Sequence, residues 1–280
     1  MKGLMELMSP ELKHVEALAR LGGNTAMRHY GGVTAEYKAA NSPVTAADRE
    51  ANENVVAGLQ ALFPGDAILS EESADSHRRL ASKRVWIVDP LDGTKEFLAQ
   101  NGEFSVMIGL VEDGRPVLGV VYLPALNILY SAELGGGATV ERMGVRSRLE
   151  CTYVNGGPLR MVASRSHADP ILEQVQQSLH IHDVQPSGSV GIKCALIAEN
   201  ERDLYIHPGP YLKEWDTCAP EIILCEAGGE VVDCTGALLT YNKPVPVQTH
   251  GIVACAPGAL PRVLAALRPI YAQKAEPEPA

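Results

Sequence analysis

The chain is short of positive charge, of paired cysteines and of long apolar runs, and each shortage argues against a class of function. Its 24 Lys and Arg stand against 34 Asp and Glu, a formal net charge of −10. Binding to a nucleic-acid polymer through counterion release needs a basic surface, so no such polymer is expected as a partner. All six cysteines (Cys151, Cys194, Cys218, Cys225, Cys234 and Cys255) lie in the second half, with no Cys-x-x-Cys pair and no histidine at zinc-finger spacing. They read as small apolar core residues, the common fate of free cysteine, and no disulfide partner is identifiable. No apolar stretch reaches membrane-spanning length, and Glu6 interrupts Leu4, Met5, Leu7 and Met8 with no small-residue cleavage site after them. The expectation is a cytoplasmic protein without a membrane partner.

What remains is ordinary globular composition: 280 residues, 46% hydrophobic and 21% charged, enough for one large core or two medium ones. No internal repeat is visible. Ser9-Pro10-Glu11 starts a helix with Leu12, Val15, Leu18 and Ala19 at helical spacing. A second helix follows Ser42-Pro43-Val44-Thr45, with Val55, Val56, Leu59 and Leu62 expected on its inner face, and Ala67 to Ser70 forms a short strand ending at Glu71. Phe104 to Glu112 and Arg115 to Leu123 are strands joined by the hairpin pair Asp113-Gly114, and Leu126 to Ala132 adds a third. Gly135-Gly136-Gly137 is expected to end this meander, leaving Glu141 to Glu150 as a connection.

Beyond it, strands and helices alternate in an α/β layer pattern: strand from Leu159, helix Pro170 to Leu179, strand near Asp183, helix around Ile192 to Glu199, strand Asp203 to Ile206, helix Ala219 to Glu226, strand Glu230 to Asp233. The expected division is an N-terminal α+β domain over 1–150, a C-terminal α/β domain over 151–271, and a disordered Pro-rich tail over 272–280.

Chemistry concentrates in two segments, Trp86-Ile87-Val88-Asp89-Pro90-Leu91-Asp92-Gly93-Thr94 and Lys213-Glu214-Trp215-Asp216-Thr217, with Glu71-Glu72 upstream. Val85 to Val88 reads as a buried strand and Thr94 to Gln100 as a helix, which puts Asp89 and Asp92 on the connection between them. Gly93 removes a side chain where backbone approaches a ligand, and the helix opening at Thr94 offers amides to a phosphate. Each acid alone has a bland reading: Asp92 and Asp216 as helix caps, Glu71 as a solvated strand end. Taken together, three sets of acids on strand-to-helix connections repel one another unless cations relieve them, which is the Mg²⁺-binding reading.

These motifs, in this order, resemble the lithium-sensitive, magnesium-dependent phosphatase superfamily, which includes the inositol monophosphatases. The resemblance spans roughly Lys38 to Asn242 and takes in Ala227-Gly228-Gly229. Gly93-Thr94-Lys95-Glu96-Phe97, Asn101-Gly102-Glu103-Phe104 and Trp215-Asp216-Thr217-Cys218-Ala219-Pro220-Glu221 are most similar to the 3'(2'),5'-bisphosphate nucleotidases of the CysQ type. The resemblance implies an inositol monophosphatase or sugar phosphatase fold of α-β-α-β-α layers. It implies two or three Mg²⁺ ions held by Glu71, Asp89, the Leu91 carbonyl, Asp92 and Asp216, and a water positioned by Thr94 with Asp48 behind it. Asp48 also fits a capping box with Thr45. Gly93, Thr94, Ser164, His167, Ser189 and Lys193 are the expected substrate contacts, the Gly188-Ser189 turn and Lys193 for a second phosphate, with Lys95, Arg165 and Lys213 as further candidates. The expected reaction is Mg²⁺-dependent removal of the 3'-phosphate of adenosine 3',5'-bisphosphate. A broader inositol or sugar phosphatase and a non-hydrolytic nucleotide sensor are the rivals, and a homodimer is left open.

Overall fold

The computed structural model describes residues 8–37, 43–152, 156–166 and 169–274, so Lys38, Ser42, His167 and positions 275–280 lie outside the described residues. Helix α1 (Pro10–His29) starts where the Ser9 hydroxyl accepts the Leu12 amide at 3.0 Å, and Leu12, Val15, Leu18 and Ala19 form its buried stripe. A two-stranded ribbon, β1 (Glu36–Tyr37) with β2 (Pro43–Val44), leads to α2 (Ala46–Leu62). The buried stripe of α2 is Ala47, Ala51, Val55 and Leu59, four residues apart; Leu62, expected inside, is therefore exposed.

A seven-stranded sheet follows in the order β3 (Ala67–Ser70), β4 (Arg84–Asp92), β5 (Ser105–Glu112), β6 (Arg115–Leu123), β7 (Ile128–Glu133), β8 (Gly137–Arg142), β9 (Val145–Leu149). Only the β3–β4 pair is parallel. Helix α3 (Thr94–Leu98) intervenes after β4 and stops short of the expected Gln100, which takes φ 55°. The meander does not end at the three glycines. Residues 137–149 form its last hairpin, with Arg146 bonded to Glu16 and Glu141; the charged edge strand β9 offers little of the apolar pattern by which strands are recognised.

The second sheet, in the order β11-β10-β12-β14-β13, comes from β10 (Arg160–Ser164), β11 (Asp183–Ser187), β12 (Leu204–His207), β13 (Glu230–Val232) and β14 (Ile252–Cys255). Its helices are α4 (Pro170–Leu179), α5 (Val190–Ala198), α6 (Glu214–Glu226) and α7 (Leu260–Lys274). Helix α6 starts five residues before the expected Ala219 because Pro220 suits a helix start in sequence but here sits inside the second turn. Strand β14 was not expected from the sequence, and α7, the one helix after Gly228-Gly229 among the described residues, runs three residues into the expected tail.

Alternation along the strands separates two apolar faces. Trp86, Val88, Val106, Ile108 and Val120 pack on Leu12, Val15, Val55 and Leu59 of α1 and α2, whereas Val85, Ile87, Met107 and Val121 meet Cys194, Cys218, Ala219 and Ile222 of α5 and α6. Helices α4 and α7 cover the far face of the second sheet through Leu172, Val175, Val263 and Leu267. The result is the α-β-α-β-α stack that the resemblance implies, each fully buried aliphatic chain contributing about 1.5–3 kcal/mol.

Helix α6 lies close on the first sheet because Gly109 and Gly119 face each other in register. A Cβ on Gly119 would stand 2.4 Å from Ile222 Cγ2 and 2.7 Å from the Ala219 carbonyl oxygen, and one on Gly109 would stand 2.4 Å from Cys218 Sγ. The helix backbone occupies the space, so Gly119→Ala should destabilise the fold by about 1–3 kcal/mol. A lower urea midpoint at unchanged m value checks this; a midpoint equal to wild type would mean the helix has room to shift.

Candidate active site

Strand β4 carries its acids on a distortion. Asp89 pairs with Met107 and Asp92 with Ser105, leaving an irregularity between them, so both acids stand within the strand's end rather than on a turn after it. The Asp89 carboxylate takes the Leu91 amide at 3.0 Å, which folds the bulge back on itself. Gly93 then adopts φ 96°, and a Cβ there would approach the Glu103 carbonyl oxygen to 2.8 Å, so only glycine fits the strand-to-helix switch.

Three carboxylates meet at this point. One oxygen each of Asp89, Asp92 and Asp216 lies within 4.8 Å of the others, with Asp89 buried and the other two half-buried. Asp92 is held by the N-terminus of α5: its Oδ2 accepts the Ser189 hydroxyl at 2.5 Å, the Val190 amide at 2.6 Å and the Gly191 amide at 3.3 Å. Because Ser189 gives its proton to Asp92, the Ser105 hydroxyl, 2.8 Å away, is the donor in its contact with Ser189. Asp216 sits in the first turn of α6 and takes the Lys213 amide at 2.5 Å. Glu71 follows β3, its amide bonded to the Val88 carbonyl at 3.2 Å, and its charge acts on both Asp89 and Asp216.

The electrostatics follow from this crowding. Burial, then Glu71, Asp92 and Asp216, push the Asp89 carboxyl well above the ordinary carboxylate range; burial, then Asp92, do the same for Asp216. Asp92 is raised less, by burial, against the Lys193 ammonium and the donors on its oxygen. An all-oxygen set of converging carboxylates suits a hard divalent cation, and seating one there would replace the repulsion with attraction.

Asp48 and Thr94 form the second element. Asp48 Oδ2 accepts the Thr45 amide at 2.8 Å and the Thr45 hydroxyl at 2.7 Å, while Oδ1 takes the Thr94 hydroxyl at 3.0 Å. The capping-box role and the contact with Thr94 thus coexist, one on each oxygen. Thr94 also lies 3.3 Å from the Leu91 carbonyl, but its single proton favours the shorter, charged acceptor. Its oxygen is left able to accept a hydrogen bond from a molecule in the cavity.

That cavity, about 630 Å³, is lined by Glu71, Asp89, Leu91, Asp92, Gly93, Thr94, Ser164, Ser189, Lys193 and Asp216, so the structure gathers all the proposed site residues except Asp48, just behind Thr94, and His167, outside the described residues. Two expectations change. Of the donors of the Gly188-Ser189 turn, the Ser189 hydroxyl is spent on Asp92 and the two amides on Glu103, and the buried Lys193 ammonium reaches back to the Gly188 and Ser189 carbonyls. Arg165 is paired with Glu103 at 2.5 Å instead of lining the cavity. The wall formed by Tyr205, His207, Tyr211 and Leu212 was not foreseen; its signal in sequence is the loop Pro208-Gly209-Pro210 between a strand end and the Trp215-Asp216 segment. Nor was Ser105, whose only signal is its place at the start of a strand.

Removing one member of the acid set should stabilise the cation-free protein. The raised folded-state pKa of Asp89 means that the native state holds the extra proton: its ionisation costs no stability below the unfolded value of about 3.9 and destabilises increasingly as pH rises above it. In EDTA, Asp89→Asn should therefore melt above wild type at pH 7, with the gap closing as pH falls toward about 4. Thermal melts across that range check it, and a gap independent of pH would contradict the repulsion.

The chain matches the model of the inositol monophosphatase family over residues 7–272. It is 42% identical over 235 residues to the 3'(2'),5'-bisphosphate nucleotidase CysQ of Escherichia coli K12, covering 82% of this chain and 94% of that protein. The CysQ of Haemophilus influenzae is 33% identical over 75% of this chain and 79% of its own length. Among solved structures, the Thermotoga maritima IMPase superposes with a TM-score of 0.80 at 26% identity, covering 95% of this chain and 99% of that one. CysQ from Bacteroides thetaiotaomicron gives 0.74 at 32% identity, covering 88% and 97%. With the family model matched over residues 7–272 and 42% identity to a named member across 82% of its length, the chain belongs to the inositol monophosphatase family.

Proposed function

We propose that the protein is a 3'(2'),5'-bisphosphate nucleotidase that removes the 3'-phosphate of adenosine 3',5'-bisphosphate, giving AMP and inorganic phosphate, with two or three Mg²⁺ ions as its cofactor. The observation that carries this reading is the Thr94–Asp48 hydrogen bond beside the Asp89, Asp92 and Asp216 carboxylates on one cavity wall. The 42% identity to a named nucleotidase supports the choice of substrate. The free cysteines, five of them buried, suit a reducing compartment and so a cytoplasmic setting.

Glu71, Asp89, the Leu91 carbonyl, Asp92 and Asp216 would hold the ions. When bound, these supply Lewis acidity for the phosphoryl oxygens and for an attacking water. The chain's own residues set the direction of attack. Asp48 fixes the Thr94 hydroxyl as a donor, so the Thr94 oxygen accepts a hydrogen bond from the water and leaves a water lone pair facing phosphorus; as the water oxygen bonds to phosphorus and the ester P–O bond breaks, the water's proton would pass to Thr94 and the Thr94 proton to the Asp48 carboxylate. Gly93 lets backbone approach the phosphate, and Ser164 lines the cavity where the rest of the substrate extends.

A non-hydrolytic sensor would have no use for a water-orienting pair. The IMPase-like fold keeps a broader inositol or sugar phosphatase as the second reading, and a phosphate-release panel separates the three. With Mg²⁺, adenosine 3',5'-bisphosphate should be hydrolysed faster than inositol 1-phosphate, and Li⁺ should inhibit. Thr94→Ala should lower kcat by about a hundredfold or more with KM little changed. A change in KM alone would make Thr94 a binding residue or cap; faster release from inositol 1-phosphate would favour the second reading, and no release from any substrate the sensor.

A further inference from the structure

Asn101-Gly102-Glu103-Phe104 carries no ligand and no catalytic group, yet its glutamate reaches across to the second sheet. Glu103 accepts the Gly188 amide at 2.8 Å and one guanidinium edge of Arg165, Nε at 2.9 Å and Nη2 at 2.5 Å, while its own carbonyl takes the Ser189 amide at 3.3 Å. Arg165 also bonds the Pro186 carbonyl at 3.1 Å, the residue just before the turn. From beneath, Lys193 Nζ holds the carbonyls of Gly188 and of Ser189, the latter at 2.9 Å. The turn gripped from both sides is the one whose Ser189 hydroxyl and following amides converge on Asp92.

We propose that Glu103 is a positioning residue for the cation site: with Arg165 as its counter-charge, it fixes the 187–191 turn so that Asp92 presents its carboxylate to the ion. This deepens the nucleotidase reading and rests on its cation site. Because the Glu103 and Arg165 side chains are partly exposed, the bridge between the sheets is made at the rim of the cavity, where its loss leaves the apolar core intact. Glu103→Ala removes the amide acceptor and the ion pair together. Glu103→Gln keeps one acceptor oxygen for the Gly188 amide and loses the charge and the second oxygen that takes Arg165.

The probe is Mg²⁺ alone, titrated calorimetrically into the full chain, with thermal melts in EDTA as the folding control. Outer-shell changes at metal sites commonly cost 10- to 100-fold in affinity when they touch the ligand directly, and Glu103 acts one contact further out. Glu103→Ala should weaken Mg²⁺ binding by about five- to tenfold and Glu103→Gln by about two- to threefold, both melting close to wild type. Arg165→Gln should behave like Glu103→Gln. Wild-type affinity in Glu103→Ala, within twofold, overturns the assignment even if the enzyme hydrolyses its substrate. Weakened binding alongside a wild type that releases no phosphate leaves the positioning role standing and removes the nucleotidase reading, and a wild type that binds no Mg²⁺ removes both.

Discussion

Three carboxylates brought within 4.8 Å in a largely buried place are the constraint around which the rest is arranged. Like charges so close and so poorly hydrated raise one another's pKa, and the fold alone gains nothing by collecting them. Each acid is nonetheless held by dedicated donors: Asp89 by the Leu91 amide, Asp92 by Ser189 and the opening of α5, Asp216 by the Lys213 amide at the opening of α6. Helix N-termini carry partial positive charge, so two of the three acids are paired with the backbone group best able to tolerate them.

The layers serve the same end. The strand order puts Glu71 beside Asp89 through the parallel β3–β4 pair, and the Gly109–Gly119 groove lets α6 settle against the sheet so that Asp216 reaches the end of β4. The second sheet contributes the turn before α5. Chemistry thus sits where two sheets and two helix openings converge, and no single element carries it, which is why a stable scaffold is needed to hold groups that would separate if free.

Much of this is legible in the sequence. Asp89 and Asp92 are marked by their place at the end of an apolar run, Thr45 and Asp48 by capping spacing, and α4 by Pro170. Illegible parts have physical reasons. Strand β9 is the sheet edge and reads Val-Arg-Ser-Arg-Leu, with only Leu149 buried, and β8 offers just Ala138 and Val140 to the core, so the apolar signal there is weak. Pro220 masks the first turn of α6, since proline's restriction on φ suits a helix start as well as this interior position. Ser189 and Lys193, expected at a substrate phosphate, are engaged within the chain. Both residues belong to the site, but a Gly-Ser turn before a helix serves equally to bind a substrate phosphate or a carboxylate of the chain, and only tertiary contact shows that Asp92 occupies it.

That Asp89, Asp92 and Asp216 form one cation site is tested most directly by anomalous diffraction from crystals grown with Mn²⁺, a hard cation that can replace Mg²⁺ on carboxylate oxygen. The expected result is a peak bridging the three carboxylates at ordinary metal–oxygen distance, with Asp92 still bonded to Ser189. A Mn²⁺ bound elsewhere, or no peak among the three acids, would contradict it.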